Sequence, residues 1–218
     1  MTSHVAQAST ERGEIVLLRR GGALELRVNG VFVMDTVHTE TERLLASRSL
    51  AAVSGADLRV LIGGLGLGFT LGEVLADPRV RVAEVAEIEP DLVAWHRQGL
   101  VPETEEALRD ARTRITVGDV ADVLRDRDGG PYDLILLDVD NGPGYLVYER
   151  NAAIYGARFL ELCRDNLTER GVVAVWSASR EAALEQTMTG VFGDCQEVAI
   201  PVRLGQRETT YYLYCSAR

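Results

Sequence analysis

The chain has 218 residues, of which 46% are hydrophobic and 26% charged, so it is long enough to bury the core of one globular domain. Its net charge of −10 disfavours nucleic acid as a partner, and we interpret it as a solubility feature or as attraction for a cationic substrate. No apolar run reaches the roughly 20 residues of a membrane span, and the three cysteines form no metal-binding pattern. We expect a cytoplasmic protein with no bound metal and no membrane association.

Residues 1–50 predict a small β-meander and a linking helix. The segment MTSHVAQASTERGE lacks the apolar region of a secretory signal and is expected to fray. Strands are predicted at 14–18, 23–28 and 31–35, separated by glycine-containing turns. A helix is predicted at 39–53, with its N-cap at Thr39 or Thr41. We place a domain boundary near residue 50 and assign 51–218 to a larger domain.

From Asp57 onward, strand and helix patterns alternate, which is typical of a doubly wound α/β domain. A short polar turn joins the last two strands, which therefore form an antiparallel hairpin. We predict a mostly parallel, seven-stranded Rossmann-like sheet preceded by the β-meander. The predicted strands are 58–62, 80–88, 113–117, 132–139, 171–177, 197–202 and 209–215. Helices are expected from the glycine-rich stretch to Pro78, at 90–100, at 119–126, near 151–166 and at about 180–191.

Ligands of such sheets bind beyond the carboxyl ends of the strands. The first strand ends in a glycine loop, Gly63–Gly68, and the second in Glu87-Ile88-Glu89. An acid about 20 residues after a glycine loop accepts hydrogen bonds from ribose hydroxyls. Asp119, after Gly118, is an acceptor suited to the exocyclic amine of adenine. The sequence therefore indicates an adenosine-type ligand.

The glycine spacing itself is informative. Gly64, Leu65, Gly66 and Gly68 fit the pattern GxGxxG only loosely, because its third glycine would fall at Phe69. A pyrophosphate is therefore not required, and close packing of strand against helix is an alternative reason for the glycines.

The order VLIGGLGLG, VAEIEP, ITVGD and YDLILLDVD resembles the class I S-adenosylmethionine-dependent fold and, more narrowly, the spermidine synthase (aminopropyltransferase) family. The resemblance covers about residues 14–180. It implies that Glu87 binds ribose, that Asp119 binds the adenine amine and that Asp138 lies at the reacting centre. It also implies S-adenosylmethionine or its decarboxylated form as cofactor, methylthioadenosine or S-adenosylhomocysteine as product, and a homodimer.

The chain departs from the family pattern at three places. The loop acid that helps to hold the aminopropyl amine in the family is Gly66 here. The second acid of the fourth-strand motif falls on Asn141, with Asp140 one place earlier. In the segment ETERLL, Thr41 stands where the family has a tyrosine. The nucleoside half of the site matches, and the polyamine half does not.

Alkyl transfer to an amine needs a group that accepts the amine's proton, and a carboxylate can do so. We predict Asp138 and Asp140 as catalytic, although the residues at 140–143 are also turn formers. Weaker candidates for substrate contacts are Asn141, Tyr145, Tyr148 and His38, and the tyrosines could equally serve in packing.

The first hypothesis is an aminopropyltransferase-like enzyme acting on decarboxylated S-adenosylmethionine and a small, cationic amine. The second is an S-adenosylmethionine-dependent small-molecule methyltransferase on the same fold, which the loss of the loop acid favours. The third is a non-catalytic nucleoside-binding protein.

Overall fold

The computed structural model describes residues 2–126, 129–139, 142–144, 146, 148–204 and 207–218, and its strands form two sheets. One is a four-stranded antiparallel sheet at the N-terminus. The other is a seven-stranded, mostly parallel sheet with a hydrophobic core on each face. The fold class predicted from the alternating pattern is confirmed.

The N-terminal sheet contains one strand more than the sequence predicted. Strands β1 to β4 span Thr2–Thr10, Gly13–Arg20, Ala23–Val28 and Val31–Asp35. The expectation of a frayed N-terminus was wrong, because β1 pairs with β2 along its whole length. Side chains of β1 are exposed or half-buried, and only Val5, Ala6 and Ala8 pack against a core, so backbone pairing contributes much of what holds this strand and its apolar pattern is weak.

The larger sheet holds the remaining strands. Strands β5 to β11 span Leu58–Gly63, Val80–Glu87, Thr113–Val117, Tyr132–Leu137, Leu167–Ser177, Gln196–Leu204 and Arg207–Ala217. Their order is β10-β11-β9-β8-β5-β6-β7. Neighbours from β7 to β9 are parallel, whereas β11 is antiparallel to both β9 and β10, which confirms the predicted final hairpin. Since β6 lies on one side of β5 and β8 on the other, the chain changes direction at β5, where α/β sheets bind ligands.

Helices α1 to α7 span Glu40–Ala52, Phe69–Ala76, Pro90–Arg97, Glu105–Arg109, Val120–Asp126, Ala157–Asn166 and Ala182–Phe192. Short 3-10 helices span Pro102–Thr104 and Glu149–Tyr155. The single helix predicted near 151–166 is therefore two elements with Gly156 between them, and the helix predicted for 90–100 ends at Arg97. None of the helices in the described ranges has the length and apolar character needed to cross a membrane.

The central strands are apolar throughout because both faces of the sheet are covered. Val60 and Ile62 of β5 point into a core shared with α1 and α2, and Leu61 between them points into the opposite core, with α5 and α6. Helix α1 packs against α2 and against strands β8 to β11. The domain boundary near residue 50 stays a prediction.

A third core joins the two sheets. Ile15 and Leu26 of the N-terminal sheet pack with Leu67, with Phe69 of α2 and with Trp95 of α3. The N-terminal sheet therefore lies against the glycine loop and the helix that follows the second parallel strand, next to the ends of β5 and β6.

Candidate functional site

A pocket enclosing about 1030 Å³ of empty space, part of it open to solvent, lies at the carboxyl ends of the parallel strands. It is lined by residues from the ends of five strands, from α1 and from the N-terminal sheet. Predicted site residues in its lining are Gly64, Gly66, Glu87, Ile88, Gly118, Asp119, Asp138 and Tyr148. Predicted residues Asp140, Asn141 and Tyr145 lie outside the described residues, so their proposed roles stay predictions.

The turn after β5 passes directly beneath the end of β8. Gly64 has φ +92°, and a Cβ there would lie 2.1 Å from the backbone oxygen of Asp138. The Asp138 N–H donates to the Gly63 carbonyl at 2.9 Å, and the Gly64 N–H donates to the Ala86 carbonyl at 2.9 Å. Glycine is required at Gly64 because any side chain would force these two backbone segments apart.

Glu87 is tied to the glycine loop. One of its carboxylate oxygens accepts the Leu65 N–H at 2.8 Å, and the other accepts the Glu89 N–H at 2.8 Å. Burial raises the pKa of Glu87, while these N–H donors oppose that rise. These two bonds hold the carboxylate in place but leave further lone pairs unused, so it can accept hydrogen bonds from hydroxyl groups.

Asp119 occupies the equivalent place after β7. Its Oδ1 accepts the Ala121 N–H at 2.8 Å and so caps the start of α5. The preceding Gly118 N–H donates to the Glu87 carbonyl at 2.8 Å. Asp119 lines the pocket together with Glu87, and its second oxygen accepts no bond among the described hydrogen bonds.

Two further carboxyl groups line the pocket on the other side of the glycine turn. Asp138 Oδ2 accepts the Thr70 hydroxyl at 2.8 Å, and Glu42 Oε2 accepts the Thr41 hydroxyl at 2.9 Å. Burial raises the pKa of Asp138 to about 6. Burial, and next the nearby Asp138 carboxyl, raise the pKa of Glu42 to about 7. No ion pair among the described residues involves either carboxyl group.

The sequence analysis missed Glu42. The signal was present, because Glu42 lies three and four residues before Leu45 and Ala46, both fully buried on α1. Residues at these spacings share one helix face, so an acid at Glu42 had to face the protein interior. Its partner in the pocket, Asp138, is about a hundred residues away, and only the fold brings the two together.

At the loop position where the family carries an acid, a side chain would be strained and would have to displace Met34. Gly66 has φ +50°, and a Cβ there would lie 2.6 Å from the Met34 sulfur. The Leu67 N–H points at the same sulfur, 3.1 Å away. From beneath, the His96 Nε2–H donates to the Gly66 carbonyl at 2.9 Å, and burial lowers the pKa of His96, so its ring is neutral.

Glu89 joins three separate segments at the rim of the pocket. Its carboxylate is paired with Arg12, in the turn between β1 and β2, at 2.7 Å. It also accepts the Tyr148 hydroxyl at 2.9 Å, and Arg12 donates a further bond to the Ile88 carbonyl at 2.9 Å. Tyr148 therefore lines the pocket with its hydroxyl bonded to Glu89, and its substrate contact stays a prediction.

The remaining predicted residues are not among those that line the pocket. His38 Nδ1 is 3.0 Å from Asp35 Oδ2, and the pair belongs to the turn between β4 and α1. Gly63, Leu65 and Gly68 support the glycine loop through their backbones, with Gly68 at φ +85° packed against Thr104. Their ligand contacts stay predictions.

The fold and the acid-lined pocket are those of a Rossmann-like α/β protein that binds its ligand at the ends of the strands beside β5. Residues 23–216 match the family model of the spermine/spermidine synthase domain. The chain belongs to the spermine/spermidine synthase family.

Its relatives include two kinds of transferase. Polyamine aminopropyltransferase 2 of Streptomyces coelicolor is 33% identical over 162 residues, which are 72% of this chain and 28% of that protein. Putrescine N-methyltransferase 1 of Nicotiana tabacum is 28% identical over 173 residues, which are 78% of this chain and 41% of that protein. The chain thus spans less than half the length of these curated relatives.

The fold is also that of solved spermidine synthases. The crystal structure of spermidine synthase in complex with the transition state analogue AdoDATO superposes with a TM-score of 0.84 at 17% identity, over 98% of this chain and 73% of that chain. The seven-stranded sheet and the N-terminal sheet are therefore shared with that enzyme.

We predict opposite effects of alanine at two nearby glycines. Gly66→Ala should lower the free energy of unfolding by about 1–2 kcal/mol or more, because of its left-handed backbone and the Met34 sulfur. The matched control Gly72→Ala, in α2 with open space at the Cβ position, should raise it by up to about 1 kcal/mol. Urea unfolding measures both, and equal effects would contradict the assigned loop geometry.

We predict that the acid pair makes stability depend on pH. The folded-state pKa of Asp138, about 6, is above its ordinary value of 3.8. The stability that protonated Asp138 contributes to the folded state is therefore full at lower pH and is lost as the pH rises through about 6. Because Asp138 is partly exposed, we expect its ionisation to lower the free energy of unfolding by up to about 2 kcal/mol as the pH rises from 4 to 7. Asp138→Asn should flatten this slope in urea titrations, and an unchanged slope would show that Asp138 ionises normally.

Proposed function

We propose that this protein transfers an aminopropyl group from decarboxylated S-adenosylmethionine to a small amine. The observation that carries the proposal is the half-buried Asp138 at the end of β8, in one pocket with the acceptor residues Glu87 and Asp119. Family membership and the aminopropyltransferase among its relatives support it.

The nucleoside half of the pocket fits an adenosine group. Glu87 is buried and held by two backbone N–H groups, so its remaining lone pairs would accept ribose hydroxyls. Asp119, held at α5, would accept the adenine amine. Gly64 and Gly66 lack side chains, and their loop would lie beneath the sulfur end of the donor.

The reaction needs a base from the protein but no nucleophile from it, because the acceptor amine is itself the nucleophile. The acceptor amine attacks the aminopropyl carbon bonded to sulfur, a C–N bond forms, and the C–S electron pair returns to sulfur to give methylthioadenosine. The attacking nitrogen then carries one proton too many. Asp138, with a pKa of about 6, is ionised at neutral pH and basic enough to accept this proton or to orient the amine.

Methyl transfer from S-adenosylmethionine to an amine is the second candidate. It is favoured by the blocked side-chain position at Gly66, since the structure offers no loop acid for the aminopropyl amine. One relative of this chain is a putrescine N-methyltransferase, which also supports this candidate. The two reactions release different thioethers, so their products distinguish them.

We predict that decarboxylated S-adenosylmethionine, incubated with a panel of small mono-, di- and polyamines, releases methylthioadenosine in the presence of the protein. Asp138→Asn should lower kcat by about 10²–10⁴-fold, the usual contribution of a general base. Glu87→Gln should mainly raise KM for the donor. Chromatography of the nucleoside products measures both effects.

The control is Asp122→Asn, an exposed acid on α5, which should leave turnover unchanged. Release of S-adenosylhomocysteine from S-adenosylmethionine, with no methylthioadenosine, would replace the first candidate by the second. Binding of the nucleosides with neither product would show a non-catalytic binding protein. Full turnover by Asp138→Asn would remove Asp138 from the reacting centre.

A further inference from the structure

We propose that Glu42 binds the primary ammonium group at the end of the donor's aminopropyl chain, and that it thereby selects the decarboxylated donor over the carboxylated one. The inference rests on the proposed aminopropyl transfer, because only that donor ends in an ammonium group without a carboxylate beside it. It assigns binding of this ammonium group to α1, because the glycine loop of this chain carries no acid.

The pocket residues follow the order of the strands. Asp119 follows β7, Glu87 ends β6, Gly64 follows β5 and Asp138 follows β8, in the spatial order of the sheet. Helix α1, which carries Glu42, packs against α2, β8 and β9, and the Glu42 carboxyl lies close enough to Asp138 for the two charges to interact. A donor whose sulfur lies at the glycine turn therefore extends its chain towards Glu42.

The other carboxyl groups of the described pocket lining are held by an arginine or by backbone N–H groups. Glu89 is paired with Arg12 and accepts the Tyr148 hydroxyl. Each oxygen of Glu87 accepts a backbone N–H, and Asp119 caps α5. This leaves Asp138, at the proposed reacting centre, and Glu42.

Glu42 has the features of a cation site without its cation. Its residue is 8% exposed, and the Thr41 hydroxyl is the one side-chain donor that reaches it among the described hydrogen bonds. No described ion pair involves it. A buried carboxylate without a counter-charge is costly, and an ammonium group from a ligand would remove that cost.

The loop cannot supply this acid. At Gly66, where the resemblance places an acid for the aminopropyl amine, the Met34 sulfur fills the side-chain position. Met34 and Glu42 both line the pocket, one from the N-terminal sheet and one from α1. At the loop position where the family has an acid, this chain therefore has the Met34 thioether. Its acid, Glu42, lies instead on α1.

Selectivity follows from charge. The tail of S-adenosylmethionine carries a carboxylate in addition to its ammonium group, and that carboxylate would face Glu42 and Asp138. Like charges in a partly desolvated pocket repel, whereas the decarboxylated tail presents only a positive end. Glu42 thus disfavours the carboxylated donor as well as binding the decarboxylated one.

The test compares three ligands by isothermal titration calorimetry: decarboxylated S-adenosylmethionine, S-adenosylmethionine and methylthioadenosine, which has no ammonium group. Glu42→Gln should weaken the decarboxylated donor by about 10- to 100-fold, the value of a charged hydrogen bond in a pocket. Methylthioadenosine affinity should stay within about twofold, and the preference for the decarboxylated donor over S-adenosylmethionine should fall. Glu42→Asp, which keeps the charge on a shorter side chain, should recover part of the loss.

Glu40→Gln is the matched control, because Glu40 is exposed in the first turn of the same helix and does not line the pocket. It should change none of the three affinities. Equal loss of all three ligands in Glu42→Gln would show a merely structural role and overturn the inference.

An unchanged affinity for the decarboxylated donor in Glu42→Gln, with methylthioadenosine still released, would overturn the inference and leave aminopropyl transfer standing. A wild-type protein that binds S-adenosylmethionine but not its decarboxylated form would overturn both.

Discussion

The close approach of two backbone segments, at Gly64 and at Asp138, is the constraint on which the site depends. A Cβ at Gly64 would lie 2.1 Å from the Asp138 oxygen, so the turn after β5 and the end of β8 touch only because this residue has no side chain. The contact lies where the strand order changes direction. It places the Asp138 carboxyl group beside the turn after β5. In the same turn, the Leu65 N–H donates to Glu87 and holds its carboxylate in place.

The acids of the pocket differ in what stabilises them, and this difference divides the pocket in two. Glu87 and Asp119 accept backbone N–H groups, which fix the orientation of their carboxylates. Glu42 and Asp138 each accept a threonine hydroxyl and lie close to each other, and burial raises the pKa of both. The first pair suits neutral hydroxyl and amine donors of a nucleoside, and the second suits a cationic ligand that brings its own charge.

The N-terminal sheet contributes directly to the site. Its apolar side chains form a common core with α2 and α3, which fixes its position over the glycine loop. From that position Met34 fills the space at Gly66, and Arg12 neutralises Glu89 at the rim of the pocket. A single loop substitution to an acid would therefore meet the Met34 sulfur, so the loop and the sheet constrain each other.

The sequence by itself determined the α/β fold, the antiparallel last hairpin and the placing of Glu87, Asp119 and Asp138 at strand ends, because apolar strand runs and glycine turns are local patterns. It did not reveal β1, a mostly polar strand that pairs with β2 and packs only a few small apolar side chains against a core, nor the break at Gly156. It also left Glu42 and Met34 unnoticed, although Glu42 sits at helical spacing from Leu45. Only the tertiary structure decided that these two residues meet at Gly66 and Asp138, because contacts between distant segments depend on how α1 and the N-terminal sheet pack on the larger sheet.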